Sequence, residues 1–358
     1  MEKALVILLT LAMAMSVLSS PSVVDVHRVR EIAGRYNITC VLVFGDSSVD
    51  PGNNNHLSTT FKGNFLPYGM NFFKGHPTGR FSNGKLPTDF VAEAIGFTKV
   101  IPAYFDPTLN DANLLHGVSF ASAASGYDDF TANLTNVLPV SKQLEYLMHY
   151  KLRLERLVGI KRATEIIKNA VFVMSMGTND FLQNYFLEPL RASEYTVEKY
   201  GDFLVESMLR DIKKMHRIGG TRLIVVGVPP LGCMPLVKTL VGSTSCSPKF
   251  NDAALSFNNK AKAMLATTKR LIGVSSLFID AYSIVKDAVD NPIKYGFTES
   301  SKGCVGTGTL EYGDTCKGMP TCKDPSKYVF WDAVHPTQDM YKLVADDILN
   351  SLNPHFLD

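Results

Sequence analysis

Four polar residues in three separate segments of the sequence carry side chains suited to covalent catalysis. Ser47 and Asn179 each follow a short apolar run, whereas Asp332 and His335 lie three positions apart near the C-terminus. A serine hydroxyl is a weak nucleophile that needs an adjacent base, and an imidazole oriented by a carboxylate can act as that base. A side-chain amide can stabilise a developing oxyanion. Together the four side chains predict nucleophilic attack on a carbonyl group, provided that the fold brings them together.

The elements that must position these residues form an alternating series of strands and helices. Short apolar runs without polar alternation are typical of parallel strands buried on both faces. Five such runs occur, at residues 40–44, 117–120, 170–174, 222–226 and 276–279. Repeated strand–helix–strand units predict the α/β class, here a three-layer αβα sandwich with a parallel five-stranded sheet. Ligands of such sheets bind beyond the carboxyl ends of the strands, where Ser47 and Asn179 lie.

Ordered sequence blocks surround the four residues: FGDSSVDPGNN at residues 44–54, GTND at 177–180 and FWDAVHPT at 330–337. With these blocks the chain resembles the GDSL (SGNH) esterase/lipase family. The segment PTGRFSNG at residues 77–84 is typical of the secreted plant branch of that family. The similarity extends in order from about residue 40 to residue 352. It implies a flavodoxin-like SGNH hydrolase fold and an ester hydrolase that uses neither a metal nor another cofactor.

The resemblance also implies a role for each of the four residues. Ser47 would be the nucleophile, because the family serine directly follows the aspartate of the Gly-Asp-Ser motif. His335 would be the general base and Asp332 its orienting carboxylate. Asn179 would donate its side-chain amide to the oxyanion, together with the backbone N–H of Ser47.

A third oxyanion donor would come from a block that departs from the family pattern. The family has a donor glycine here, whereas residues 119–126 read SFASAASG. The glycine would align at Ala123 or Ala124, and we expect Ala124 to be the donor. If the position requires a positive φ, which glycine adopts without strain, the donor would be displaced and the activity would fall.

Three functions are compatible with these residues. The first is a serine esterase or lipase that acts on a small-molecule, lipid or polysaccharide ester. The second is an acyltransferase on the same triad, and the third is a secreted binding protein that has lost catalysis. The intact set of four side chains favours an enzyme. Specificity is expected to depend on two regions predicted to be loops, residues 50–84 and 233–249.

The N-terminal residues predict export from the cell. Residues 1–20 form a signal peptide pattern, with an apolar run over residues 4–18 that is shorter than the ~20 residues of a membrane-spanning helix. We expect a lead-in segment at 21–37, one hydrolase domain at 38–352 and a tail at 353–358, with no transmembrane segment. The protein is predicted to be secreted and monomeric. A net charge of +2 gives no electrostatic signature of nucleic-acid binding.

An oxidising compartment would allow the six cysteines to form disulfides. We expect Cys233 to pair with Cys246 and one bridge to form among the last three cysteines, with Cys40 unpaired. Sequons at Asn37 and Asn133 predict glycosylation.

Overall fold

Residues 24–358 are described by a computed structural model, and the predicted signal peptide at residues 1–20 lies outside the described residues. The strands are β1 Val41–Gly45, β2 Val171–Ser175, β3 Arg222–Val226, β4 Ser275–Ile279, β5 Glu299–Gly303 and β6 Tyr328–Phe330. The α-helices are α1 Val26–Arg35, α2 Pro87–Ile95, α3 Asp111–Leu114, α4 Asp129–Leu134, α5 Val140–Val158, α6 Ile160–Lys168, α7 Thr178–Phe181, α8 Leu190–Glu194, α9 Val197–Ile218, α10 Pro235–Leu240, α11 Pro248–Ile272, α12 Ala281–Asp290, α13 Gln338–Ser351 and α14 Pro354–Leu357. A π-helical turn spans Leu182–Leu187.

Strands β1 to β4 form a parallel sheet in the order β1-β2-β3-β4. Val43 pairs with Val173, which pairs with Ile224 in β3. Both β1 and β2 are buried along their whole length, as their unbroken apolar sequences predict. With helices on both sides, this arrangement confirms the predicted α/β class with a parallel sheet.

The prediction of a fifth strand in this sheet at residues 117–120 is wrong, because among the described residues the sheet has four strands. The segment still runs beside β1, where Ser119 forms one parallel bridge to Val43 and another to Ala103. Gly117 has a φ of +105°, far from extended geometry, and its Cα lies against the Val41 carbonyl. Backbone hydrogen bonds from the segment still follow β1 in a parallel manner as far as Ser122, but the bend at Gly117 interrupts the continuous ladder that a fifth strand would form. The segment nevertheless lies on the opposite side of β1 from β2, so the order in which the chain adds segments to the sheet reverses at β1. Folds of this type bind their ligands at that point of reversal, between β1 and β2.

The helices pack in two groups. Helix α9 contacts both α5 and α11, while α5 packs against β1 and α11 packs against β4. Helix α2 contacts α1 and α13, and α13 also contacts α12 and β4. Apolar side chains from the sheet and from both groups form one continuous buried cluster.

Two regions expected to lack regular structure contain helices. Residues 233–249, predicted to be a loop, include α10, with Leu236 and Val237 buried. The predicted tail at 353–358 forms α14, whose Phe356 and Leu357 are buried in the main apolar cluster. The division of the chain at residues 38 and 352 remains a prediction.

The predicted disulfide pairing is confirmed, with Cys233 joined to Cys246 and Cys304 joined to Cys322. Cys40 is free and buried, as expected, and Cys316 is also a buried free thiol. The sequon residues Asn37 and Asn133 are both exposed. Within residues 24–358 we find no helix with both the length and the apolar character needed to cross a bilayer.

Candidate active site

Ser47 lies in a tight turn directly after β1. The carboxylate of Asp46 accepts hydrogen bonds from the Ser48 N–H at 2.9 Å and from the Ser48 hydroxyl at 2.7 Å, and these bonds close the turn around Ser47. Gly45 precedes the turn with a φ of +152°, and a Cβ there would lie 2.1 Å from the Ser175 carbonyl oxygen. Only glycine can therefore occupy the point where β1 turns beside β2.

Asn179 lies on the first turn of α7, shortly after β2. Gly177, with a φ of +119°, redirects the chain from the strand into the helix. The Asn179 side-chain amide donates to the Ser125 carbonyl at 3.0 Å and lies 3.5 Å from Asp46 Oδ2. The amide is thus held between the turn after β1 and the segment beyond residue 120.

Asp332 and His335 belong to a turn that follows β6. The Trp331 N–H donates to the His335 carbonyl at 2.7 Å, so the chain folds back on itself and brings the two side chains together. His335 Nδ1 lies 2.7 Å from Asp332 Oδ2, and His335 Nε2 lies 2.8 Å from Ser47 Oγ. Asp332 is fully buried and His335 is 7% exposed. The three side chains, from opposite ends of the sequence, form one continuous hydrogen-bonded chain.

The turn at residues 123–124 lines the same pocket as Ser47 and His335. The Ala123 N–H donates to Asp50 Oδ2 at 3.0 Å, and the Ala123 carbonyl accepts from the Asn54 amide at 3.0 Å. Ala124 adopts a φ of +70°, so the position does have the left-handed conformation that glycine favours. Alanine tolerates it at a cost of about 1–2 kcal/mol, and the structure accommodates the residue as local strain.

Two backbone N–H groups near the Ser47 hydroxyl are free. Those of Ser47 and Ala124 have no acceptor within the described part of the chain. The N–H of Ala123 is used by Asp50, which leaves Ala124 as the better placed of the two alanines. Together with the Asn179 amide, these groups match the donor types that stabilise an oxyanion.

Burial alters the acidity of the carboxyl groups that build the turns. It raises the pKa of Asp46 to about 6, against the hydrogen bonds from Ser48, which lower it. Burial likewise raises the pKa of Asp50 to about 6, although several backbone N–H groups donate to it. Both carboxyls remain mostly ionised near neutral pH, as their acceptor roles require.

Two further residues at the site were not predicted from the sequence. Gln143 on α5 accepts the Gly45 N–H at 2.9 Å and donates to the Gly45 carbonyl at 3.0 Å and to Ser125 Oγ at 3.1 Å. The Tyr68 hydroxyl donates to Asp332 Oδ2 at 2.6 Å. Neither residue is close in sequence to its partners, so no local pattern indicates its contacts.

Two pockets meet at the Ser47 hydroxyl, and Ser47, Asn179, Val334 and His335 line both of them. The first, which we call the β3 pocket, lies beside the end of β3. Its apolar wall includes Val226, Val228, Met234, Val285, Tyr341 and Val344. The second, which we call the aromatic pocket, lies beside Ala123 and Ala124. Its wall includes Phe61, Phe81, Leu182, Leu187, Leu236 and Tyr312.

The four residues predicted from the sequence therefore lie around one point at the carboxyl end of the sheet. Among residues 24–358, no cluster of three or more His, Cys, Asp or Glu side chains is arranged to hold a metal ion.

Comparison with known proteins identifies the family. The sequence pattern of the GDSL-like Lipase/Acylhydrolase family matches residues 41–348. The chain is 52% identical to the Arabidopsis thaliana GDSL esterase/lipase At5g45950 over 355 residues, which cover 99% of each chain. It is 44% identical to the Arabidopsis thaliana GDSL esterase/lipase At2g04570, over 89% of this chain and 93% of the relative.

Among solved structures, the acetylxylan esterase Axe2 from Geobacillus stearothermophilus matches with 12% identity and a TM-score of 0.40, over 88% of this chain and 95% of that one. The family pattern and the two plant relatives together cover nearly the whole chain. The chain therefore belongs to the plant-type GDSL esterase/lipase family of carboxylic ester hydrolases.

Proposed function

We propose that the protein hydrolyses carboxylic esters through a triad in which Ser47 is the nucleophile, His335 the general base and Asp332 the residue that orients it. The observation that carries this proposal is the hydrogen-bonded chain from Ser47 Oγ to His335 Nε2, at 2.8 Å, and from His335 Nδ1 to Asp332 Oδ2, at 2.7 Å. These contacts have the geometry by which an imidazole activates a serine hydroxyl.

The reaction proceeds in two halves. Ser47 Oγ attacks the ester carbonyl carbon as its proton passes to His335 Nε2, and Asp332 stabilises the imidazolium. Collapse of the tetrahedral intermediate breaks the bond to the alcohol, which takes the proton from His335. Water then attacks the acyl-enzyme by the same route, and the carboxylic acid leaves with Ser47 restored.

The negative charge on the intermediate needs donors that are already in place. We assign the Ser47 N–H, the Ala124 N–H and the Asn179 amide to this role. The two backbone groups have no competing acceptor within residues 24–358. The amide donates one N–H to the Ser125 carbonyl at 3.0 Å, and its other contact, to Asp46 Oδ2, is long at 3.5 Å, so that N–H can turn to the oxyanion. Donors fixed by the fold need little reorganisation as the charge develops.

The apolar walls of the β3 pocket and the aromatic pocket favour a substrate that is apolar on both sides of the ester bond. An ester of an aliphatic acid fits these walls better than acetylated polysaccharide does. A series of p-nitrophenyl esters of increasing acyl length, compared with acetylated xylan, tests this preference. Higher kcat/KM for acetylated xylan would refute it.

Hydrolysis is distinguished from acyl transfer by the fate of the acyl group. The proposal expects free carboxylic acid as the main product even when an alcohol is added. An acyl-alcohol product that exceeds the free acid would instead establish an acyltransferase.

We also propose that the protein is secreted, glycosylated at Asn37 and Asn133, and monomeric. Support comes from the signal pattern at residues 1–20, the two disulfides and the exposure of both asparagines. The full chain expressed in eukaryotic cells should appear in the medium. Asn37→Gln and Asn133→Gln should each remove one glycan by mass, and size-exclusion chromatography should give one chain per particle.

Turnover of a short p-nitrophenyl ester by Ser47→Ala tests the proposed nucleophile. We expect a loss of about 10⁴-fold or more in kcat relative to the unmodified protein. Ser207→Ala is a matched control, because this buried serine on α9 donates to the Phe203 carbonyl and lies outside the site. Retained turnover in Ser47→Ala would refute the assignment.

A further inference from the structure

The Asp332 carboxylate receives four hydrogen-bond donors, and only one comes from outside its own turn. Oδ1 accepts the N–H groups of Val334 at 2.8 Å and His335 at 2.6 Å. Oδ2 lies 2.7 Å from His335 Nδ1 and accepts the Tyr68 hydroxyl at 2.6 Å. Tyr68 therefore shares the oxygen that orients the imidazole.

The direction of the Tyr68 bond is fixed by its other partner. The Gly313 N–H donates to Tyr68 Oη at 2.8 Å, so the hydroxyl oxygen serves as an acceptor there and its proton is free for another contact. The nearest strong acceptor is Asp332 Oδ2, since Cys316 Sγ lies 3.6 Å away and is a weak acceptor. Burial, together with the negative charge of Asp332, raises the pKa of Tyr68 well above its ordinary value. The hydroxyl thus remains a donor across the working pH range.

We propose that Tyr68 is a positioning residue that fixes the Asp332 carboxylate and moderates its charge, and so sets the pH dependence of ester hydrolysis. This inference rests on the catalytic function proposed above. A donor on Oδ2 withdraws part of the negative charge that would otherwise stabilise a protonated imidazole. It also restrains the carboxylate through a contact from outside its own turn.

Other titratable groups face the same pair from neighbouring elements. Asp46 acts on His335 from the turn after β1, and Tyr341 faces Asp332 from α13. Tyr312 and Cys316 face Asp332 from the segment bridged by Cys304–Cys322. Within the described residues none of these four groups donates a hydrogen bond to Asp332, which distinguishes Tyr68 from all of them.

When kcat/KM is plotted against pH, two changes at position 68 should move the acidic limb of the profile in opposite directions. Tyr68→Phe removes the donor, so a protonated imidazole is better stabilised and the limb should move upward by about half to one pH unit. Replacing Tyr68 by 3-fluorotyrosine strengthens the donor and should move the limb downward. We expect kcat in Tyr68→Phe to fall by up to about 10-fold, because one restraint on the carboxylate is lost.

The profiles are measured with a short p-nitrophenyl ester followed at the isosbestic wavelength of its product. Tyr150→Phe is the control, since it removes a buried tyrosine hydroxyl that donates to the Leu114 carbonyl away from the site. Its acidic limb should coincide with that of the unmodified protein. If Tyr68→Phe does not fold, the 3-fluorotyrosine protein carries the test alone.

Acidic limbs that stay in place in the Tyr68 proteins, or that move in the same direction in both, would overturn the inference and leave Tyr68 a purely structural residue. Ser47→Ala, assayed in parallel, separates this outcome from failure of the proposed function. Turnover that persists in Ser47→Ala would refute the triad itself, whatever the limbs of the Tyr68 proteins show.

Discussion

Replacing Gln143 by leucine tests how the end of β1 is held beside the oxyanion turn. The odd-numbered residues of β1 bond outward to the segment beginning at residue 116, as when the Val43 N–H donates to the Val118 carbonyl. At Gly45 the N–H donates instead to the side chain of Gln143, which also donates to the Gly45 carbonyl and is fully buried. Leucine is close in size but offers neither an acceptor nor a donor, so the Gly45 contacts are lost without a large change in volume.

The expected cost follows from the partners that remain. Within the described residues the Gly45 N–H has no other acceptor, whereas the Gly45 carbonyl keeps bonds from Ser125 Oγ at 2.7 Å and the Ser122 N–H at 2.9 Å. The Leu138 carbonyl also loses Gln143, but it is half-buried and can bind water. One buried unpaired donor lowers the free energy of unfolding by about 1–3 kcal/mol.

The kinetic effect should exceed what stability alone explains. Gly45 lies two residues before Ser47, and the Ser125 carbonyl accepts the Asn179 amide, so loosening this point displaces nucleophile and oxyanion donor together. A displacement on the order of 1 Å can cost about 10²-fold in rate, and we expect kcat to fall by about 10- to 100-fold.

Urea unfolding gives the change in stability, and turnover of a p-nitrophenyl ester well below the unfolding transition gives the change in kcat. Tyr150→Phe, on the same helix, removes a buried hydrogen bond to the Leu114 carbonyl and should lower stability by about 1 kcal/mol without changing kcat. If Gln143→Leu lowers stability but keeps kcat near that of the unmodified protein, Gln143 does not position the site.

Three further outcomes are expected. Asn179→Ala should lower kcat by about 10²–10³-fold with little change in KM, measured by steady-state kinetics, because one oxyanion donor is lost. Ala124→Gly should leave the free energy of unfolding within about 1 kcal/mol in urea, since relief of about 1–2 kcal/mol of strain is offset by the greater freedom of the unfolded chain and one lost buried methyl group. Burial raises the pKa of Asp46 to about 6 and that of Asp180 to about 7. The folded state thus holds protons that the unfolded state releases, and the contribution of these groups to stability should fall as the pH rises from about 4 to 7, measured by urea unfolding at each pH.

Much of the fold follows from local patterns that the sequence displays. Strands β1 and β2 are short apolar runs that are buried throughout, and β3 and β4 are short runs that are partly buried. Helix α9 ends at Ile218, followed by Gly219, the residue type that commonly ends a helix. Thr337 caps α13 and so helps to hold the turn that carries His335. The contact between Asp332 and His335 is local, whereas the contact between Ser47 and His335 spans 288 residues, and its expectation rests on the resemblance to a known family.

The remainder depends on contacts that no local pattern encodes. Residues 117–120 have the composition of a strand, but the positive φ of Gly117 limits their pairing with β1. Gln143 lies 98 residues from Gly45, and Tyr68 lies 264 residues from Asp332. The strain at Ala124 likewise depends on how Asp50 and Asn54 hold the turn before it. Such contacts appear only once the tertiary structure is known.

Covalent labelling with a fluorophosphonate, followed by mass spectrometry of the digested protein, tests the central claim most directly. The reagent reacts with a serine hydroxyl only when a base activates it. The account predicts one adduct on the peptide that contains Ser47, absent from Ser47→Ala and greatly slowed in His335→Ala. No adduct on the folded protein, or an adduct on a different serine, would contradict it.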